Sequence, residues 1–141
     1  MSFPGNKDLG VNLDLTHTSA QHTLGLRVLT NDGKEFRYVV AGGDITANAP
    51  VKIATAHSAT VSGNAGRVDG VAPVAIASGS YGFIQTRGEC SVDAATDVDA
   101  GDFIANVTDA SGRVTEVALT SFVIGVGLVD ESANIAGIRL F

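Results

Sequence analysis

The chain has 141 residues, 45% of them hydrophobic and 17% charged, with a formal net charge of −6 and a single cysteine. That length carries one domain with a core but no second stable one, and the charged fraction falls well below the usual value of about 25%, so part of the surface is expected to be hidden against partners. No apolar run approaches the roughly 18–20 residues of a membrane-spanning helix, no basic-then-apolar leader opens the sequence, and the lone Cys90 excludes an internal disulfide and fits a reducing cytoplasm.

Residues 1–23 are polar, broken by Pro4, Gly5 and Gly10, and without a sustained period. They read as a flexible N-terminal arm that takes its order from a partner. In a competing reading Val11, Leu13 and Leu15, alternating with Asn12 and Asp14, form a strand for a neighbouring subunit. Residues 24–141 read as a single β domain. Leu24–Leu29 and Glu35–Val40 flank a turn over Thr30–Lys34 whose Asp32-Gly33 suits positive φ, which predicts a hairpin ended by Gly42-Gly43. Val51–Thr55 and Ala59–Ser62 are weaker strands. From Gly70 to Gly88 two apolar runs, Val71–Ala77 and Tyr81–Thr86, are joined by Ser78-Gly79-Ser80, again the pattern of a hairpin. Glu89–Val92, Asp102–Thr108, Arg113–Leu119, Phe122–Val129 and Ile135–Leu140 complete the strands, with a tight turn at Asp109–Gly112 and short helical turns allowed at Ser91–Ala95 or Asp130–Ala133. Apolar residues nowhere recur at helical spacing over three turns. Short strands at about 8–12-residue intervals predict an all-β fold, a compact sandwich or barrel. A weak echo between Asp44–Val51 and Asp97–Ile104 suggests two related halves.

Charge is unevenly spread. Residues 1–88 carry seven basic and six acidic side chains, whereas residues 89–112 carry Glu89, Asp93, Asp97, Asp99, Asp102 and Asp109 with no Lys or Arg. That acidic stretch argues against a nucleic-acid partner, which would need clustered cations. Catalytic signatures are missing: no nucleophile elbow, no phosphate-cradling loop and no dinucleotide fingerprint occurs. His17 and His22 fall in the expected arm and, with His57, read as solvated side chains. Cys90 reads as a small core residue. Asp93, Asp97, Asp99 and Asp102 could offer oxygen ligands to Ca²⁺, but without the twelve-residue loop spacing or its bidentate Glu; the segment reads as turns. Tyr81 and Phe83, alternating about Gly82, share one strand face, a stacking platform or, preferably, a core face. The expectation is therefore no enzymatic activity, no catalytic, cofactor or metal residues, and no cofactor.

The segment Gly70-Val71-Ala72…Ile76…Gly79…Tyr81-Gly82-Phe83-Ile84-Gln85…Gly88, followed by the Asp99-Ala100-Gly101-Asp102 turn, resembles the small head-decoration (cement) proteins of tailed bacteriophages. The match spans roughly residues 35–141 in pattern and is specific over Gly70–Asp102. Asn48 stands where the resemblance leads one to expect glycine, and asparagine tolerates the left-handed region well. The resemblance implies a structural virion protein, made in the host cytoplasm, that binds the outside of an assembled capsid as a homotrimer with the major capsid protein as partner. A small β-sandwich binding module for carbohydrate or a receptor, on a phage tail or cell surface and using Tyr81 and Phe83, is the alternative.

Overall fold

The computed structural model of the chain describes residues 12–63, 67–94, 103–105, 113–114, 123–127 and 135–140. The first hairpin forms where the turn chemistry places it. Strand β1 (Arg27–Leu29) pairs antiparallel with β2 (Glu35–Ala41) in the register Arg27↔Arg37, Val28↔Phe36, Leu29↔Glu35. The Thr30 N–H closes the turn on the Lys34 carbonyl at 2.8 Å, and the Lys34 N–H returns to the Thr30 hydroxyl at 3.0 Å. Next come β3 (Pro50–Ile53), a 3-10 turn at Thr55–His57, β4 (Ser58–Val61), β5 (Gly70–Val71) and the long β6 (Tyr81–Asp93). Strands β7 (Phe103–Ala105), β8 (Val123–Gly127) and β9 (Ile135–Leu140) follow. Among the described residues no helix is long and apolar enough to cross a membrane.

Five of these strands close a barrel. β2 lies parallel to β4, β4 antiparallel to β3, β3 to β5, β5 to β6, and β6 returns to β2. Closing the ring satisfies the ladder and leaves an interior that small strands can fill with side chains. Val39, Ala41, Ile45, Val51, Ala59, Ile76 and Ile84 fill it, none more than 2% exposed. A Cβ on Gly82 would lie 2.8 Å from Ile76 Cδ1, so its missing side chain is the space Ile76 occupies.

Strand β6 does not stop at the barrel. At Gly88 (φ +95°) it bends and enters a second, antiparallel sheet of order β6-β9-β8-β7. A side chain at Gly88 would be strained there and would meet Lys34 Cγ at 2.9 Å. The buried Gln85 amide spans the bend, donating to the carbonyls of Arg87 (3.1 Å) and Glu89 (2.8 Å). These are main-chain acceptors that the bend would otherwise strand. Beneath this sheet Val71, Val92, Ala94, Val114, Ile138 and Leu140 form a separate buried cluster, with Cys90 packed against it.

The all-β reading and several strands match the sequence-based expectation. β9 coincides with Ile135–Leu140, and Asn48 takes the left-handed φ of +65°. Other elements differ. Of the expected run Val71–Ala77 only Val71 lies in a strand, the two-residue β5 (Gly70–Val71), paired with β6 at Val71↔Gln85. The residues that follow pair instead with the chain leaving β2: Ile45 and Ile76 exchange both main-chain bonds at 2.9 Å, and Ala41 N–H donates to Ser80 O at 2.8 Å. Pro73 cannot donate to a ladder, and Ile76 is drawn inward by the barrel core. Glu89–Val92 is no separate strand and Ser91–Ala95 no helical turn, since β6 runs unbroken to Asp93.

A larger difference concerns the arm. Residues 12–23, expected to lack a core of their own, lie against the barrel. Leu13 is 3% exposed, and His17 exchanges main-chain bonds with Tyr81 at 2.9 and 2.7 Å. The polar residues of this stretch masked the few side chains that anchor it. Residues 1–11, most of Arg113–Leu119, the Asp109–Gly112 turn, Asp130–Ala133 and most of the Asp97–Ile104 half of the internal echo lie outside the described residues.

Candidate interaction surface

Two features on the barrel strands β2 and β6 and the flanking β1 carry the side chains of interest. The first is the outer face of these strands. Phe36, Tyr38 and Phe83 point away from the barrel interior and are covered by Leu13 and Val28, with Leu24, Leu26 and Tyr81 at the margin. Tyr38 is the hub. Its hydroxyl lies 3.1 Å from His17 Nδ1 and accepts the Gln21 main-chain N–H at 3.1 Å. Its ring meets His22 edge-on (centroids 5.1 Å apart, 85°) and Phe83 at 4.9 Å. Such edge-to-face geometry suits aromatic quadrupoles. His17 and His22 are thus half-buried packing partners, not the solvated side chains their polar neighbourhood suggests. His57 is half-buried too, and a Cβ on Gly25 would fall 2.5 Å from its ring. Tyr81 and Phe83 do share one strand face, but Phe83 is 0% exposed under this cover, so they present no open stacking platform.

The second feature is ionic and lies on the opposite face of the same strands, where they extend past the barrel mouth. Arg27 and Arg37 are direct cross-strand partners, and Glu35 is opposite Arg87 after a bulge in the ladder. Glu35 is buried. Arg27 Nη2 donates to its Oε2 at 2.7 Å, and the Thr86 hydroxyl donates to Oε1 at 2.9 Å. These bonds, with the charges of Arg27 and Arg87, hold the Glu35 carboxyl below its ordinary range against the opposing effect of burial. Among the described residues no carboxylate lies within ion-pair distance of Arg37 or Arg87. Sequence reading missed this cluster, although Arg27 and Arg37 stand equally far from Asp32 at the centre of the turn.

Of the acidic candidates, Asp93 is half-buried and its carboxyl is raised by desolvation, while Asp97, Asp99 and Asp102 lie outside the described residues. Among the described residues no three His, Cys, Asp or Glu side chains converge as a metal site would require. Cys90 borders an open groove with Lys34, Val71, Gln85 and Glu89, and burial pushes its thiol up to about 12 despite the nearby Lys34 charge. A thiol so protonated is a poor nucleophile.

No protein-family model matches the sequence, and no curated protein does either. The fold, however, has a solved counterpart. The chain is similar in fold to the head fiber gp8.5 N base of bacteriophage phi29 (TM-score 0.58, 14% identity). The likeness covers 75% of this chain and 92% of that one. At that identity the two share a fold.

Proposed function

We propose that this chain is a structural protein of a phage virion, seated as a homotrimer on the outside of an assembled head and reinforcing it, with the major capsid protein as its partner. One observation carries the reading: three quarters of this chain match the fold of nearly all of a phage head fiber base. The sequence resemblance over Gly70–Asp102 to head-decoration proteins points the same way, and so does an apolar composition with few charges. A ligand that binds only the assembled shell shifts the equilibrium toward that shell, so such a protein needs complementary surface and no reactive group.

The test is direct. Purified protein is mixed with phage heads before and after their expansion, and the heads are separated from free protein by sedimentation. Saturable binding to expanded heads, with an upward shift in the temperature at which they release their genome, is the expected result. Saturable binding with no such shift would leave an attachment protein and refute reinforcement. Failure to bind heads of any tailed phage from which the sequence derives would overturn the reading altogether.

A further inference from the structure

We propose that the arginine face at the barrel mouth, Arg27, Arg37 and Arg87 around Glu35, receives the carboxylates Asp97, Asp99 and Asp102 of a second copy of this chain. Like charges placed directly across a ladder destabilise it, and β1–β2 sets Arg27 opposite Arg37. Glu35 is the carboxylate that answers them, leaving a local excess of two positive charges in a chain whose net charge is −6. An excess held on packed strands is a feature a partner can use.

Two further observations shape the surface. Leu29, two residues along β1 on the same face as Arg27, is 64% exposed, an apolar contact beside the cations. The Tyr38 N–H bonds Leu26 O at 2.9 Å and the Thr30 N–H bonds Lys34 O at 2.8 Å. By antiparallel alternation, Arg27 and Leu29 then turn their main-chain groups away from β2, toward an edge that no described strand covers. Cations, an apolar side chain and free edge groups together suit an acidic segment. The chain supplies one itself: Asp97, Asp99 and Asp102 fall within six residues that hold no cation, whereas Glu89 is taken by Arg139 of its own chain and Asp93 ends β6. A basic patch meeting an acidic segment elsewhere on the next copy is a heterologous contact, the kind that closes into rings. This inference does not depend on where the protein attaches.

The test uses the full chain. Mass is measured by light scattering after size exclusion at about 0.02 M and about 0.5 M salt, conditions on either side of strong screening. The wild type should run as a multiple of 14.3 kDa at low salt and lose mass at high salt. R37E/R87E should stay single-chain at low salt with an unchanged circular dichroism spectrum, while R37K/R87K assembles. The quadruple swap R37E/R87E/D97K/D99K, which restores opposite charges at every contact, should assemble again. A wild type that is single-chain at low salt, a charge-reversed double variant that still assembles, or a quadruple variant that fails to recover would each overturn the proposal. Retention of added polyanionic nucleic acid by the wild type, with no change in its own mass, would do the same and assign the face to an outside partner.

Discussion

Residues Tyr81–Arg87 and Glu89–Asp93 belong to one strand but to two kinds of packing. Before the bend, Gly82, Phe83, Ile84 and Gln85 are all buried; after it, exposed Glu89 and Ser91 alternate with more buried Cys90 and Val92. The first half is covered on both sides, by the barrel core within and by residues 12–26 outside. The second half covers one side only. A strand sandwiched between two covers depends on both of them, so the barrel's stability should be tied to a stretch of chain that looks dispensable.

That dependence can be broken directly. Deleting residues 2–23 would uncover Tyr38 and Phe83, both 0% exposed in the intact chain, at roughly 1.5–3 kcal/mol for each side chain. Chemical denaturation should show a loss of about 3–6 kcal/mol. An unchanged midpoint would mean that the outer cover contributes nothing. The same contrast can be drawn with single side chains. Phe83→Ala should cost about 3–5 kcal/mol, whereas Ile138→Val, opposite Cys90 in the second sheet, should cost about 0.5–1.5. Comparable losses would show that the two halves of β6 are equally dependent on packing.

The junction itself comes next in size. Gly88→Ala forces a side chain into φ +95° and against Lys34, for a cost of about 1–3 kcal/mol. Gly43→Ala, with open space around its Cβ position, is the control and should be nearly silent. If the two variants melt alike, the bend at Gly88 is not strained.

Much of this was legible in the sequence, and the gaps have physical causes. Short β-branched runs between turn residues located β9 to the residue and β2, β3 and β4 to within one or two residues at each end, because there turn chemistry and hydrophobic pattern agree. The hairpin over Gly70–Gly88 was misread because an apolar run such as Val71–Ala77 signals burial without saying which partner it pairs with. Closure of the barrel settled that, bringing Ile76 to Ile45. The cover over Tyr38 was missed because it rests on few side chains, Leu13, His17 and His22, scattered among polar residues. The arginine cluster requires the β1–β2 register, which the turn's symmetry about Asp32 does contain. The candidate ligands Asp97, Asp99 and Asp102 lie outside the described residues.

A smaller effect separates the barrel's ionic mouth from its apolar covers. Glu35 titrates below its ordinary 4.5 because Arg27 and Thr86 bond its charged form. As pH falls, the unfolded chain therefore takes up this proton before the folded one. The stabilisation is fully present above the ordinary carboxylate range and is lost as pH drops through the folded value. Arg27 is 61% exposed, so solvent screens the pair and its worth is on the order of 1 kcal/mol. Glu35→Gln should lose that amount at pH 7 and flatten the acid side of the stability profile. An acid limb identical to the wild type would remove Glu35 as its source.

The smallest expected effect lies in the second half of β6, at Cys90. Its side chain is half-buried against the apolar cluster below the second sheet, and burial raises the thiol to about 12. At pH 8 the thiolate fraction is then on the order of 1 in 10,000, against roughly a quarter for an exposed thiol near 8.5. Since the thiolate is the reacting form, iodoacetamide should label Cys90 in the folded protein far more slowly than in denaturant. Its rate should keep rising with pH well beyond 9, as long as the fold persists. The barrel offers a comparison within the same chain: residues 2–23 can be deleted and the labelling repeated. If the two packings are independent, the loss of the outer cover leaves the Cys90 rate unchanged in whatever fraction remains folded. A rate that climbs toward the denatured value at denaturant concentrations where the truncated protein is still folded would show that the bend at Gly88 transmits loosening from barrel to sheet.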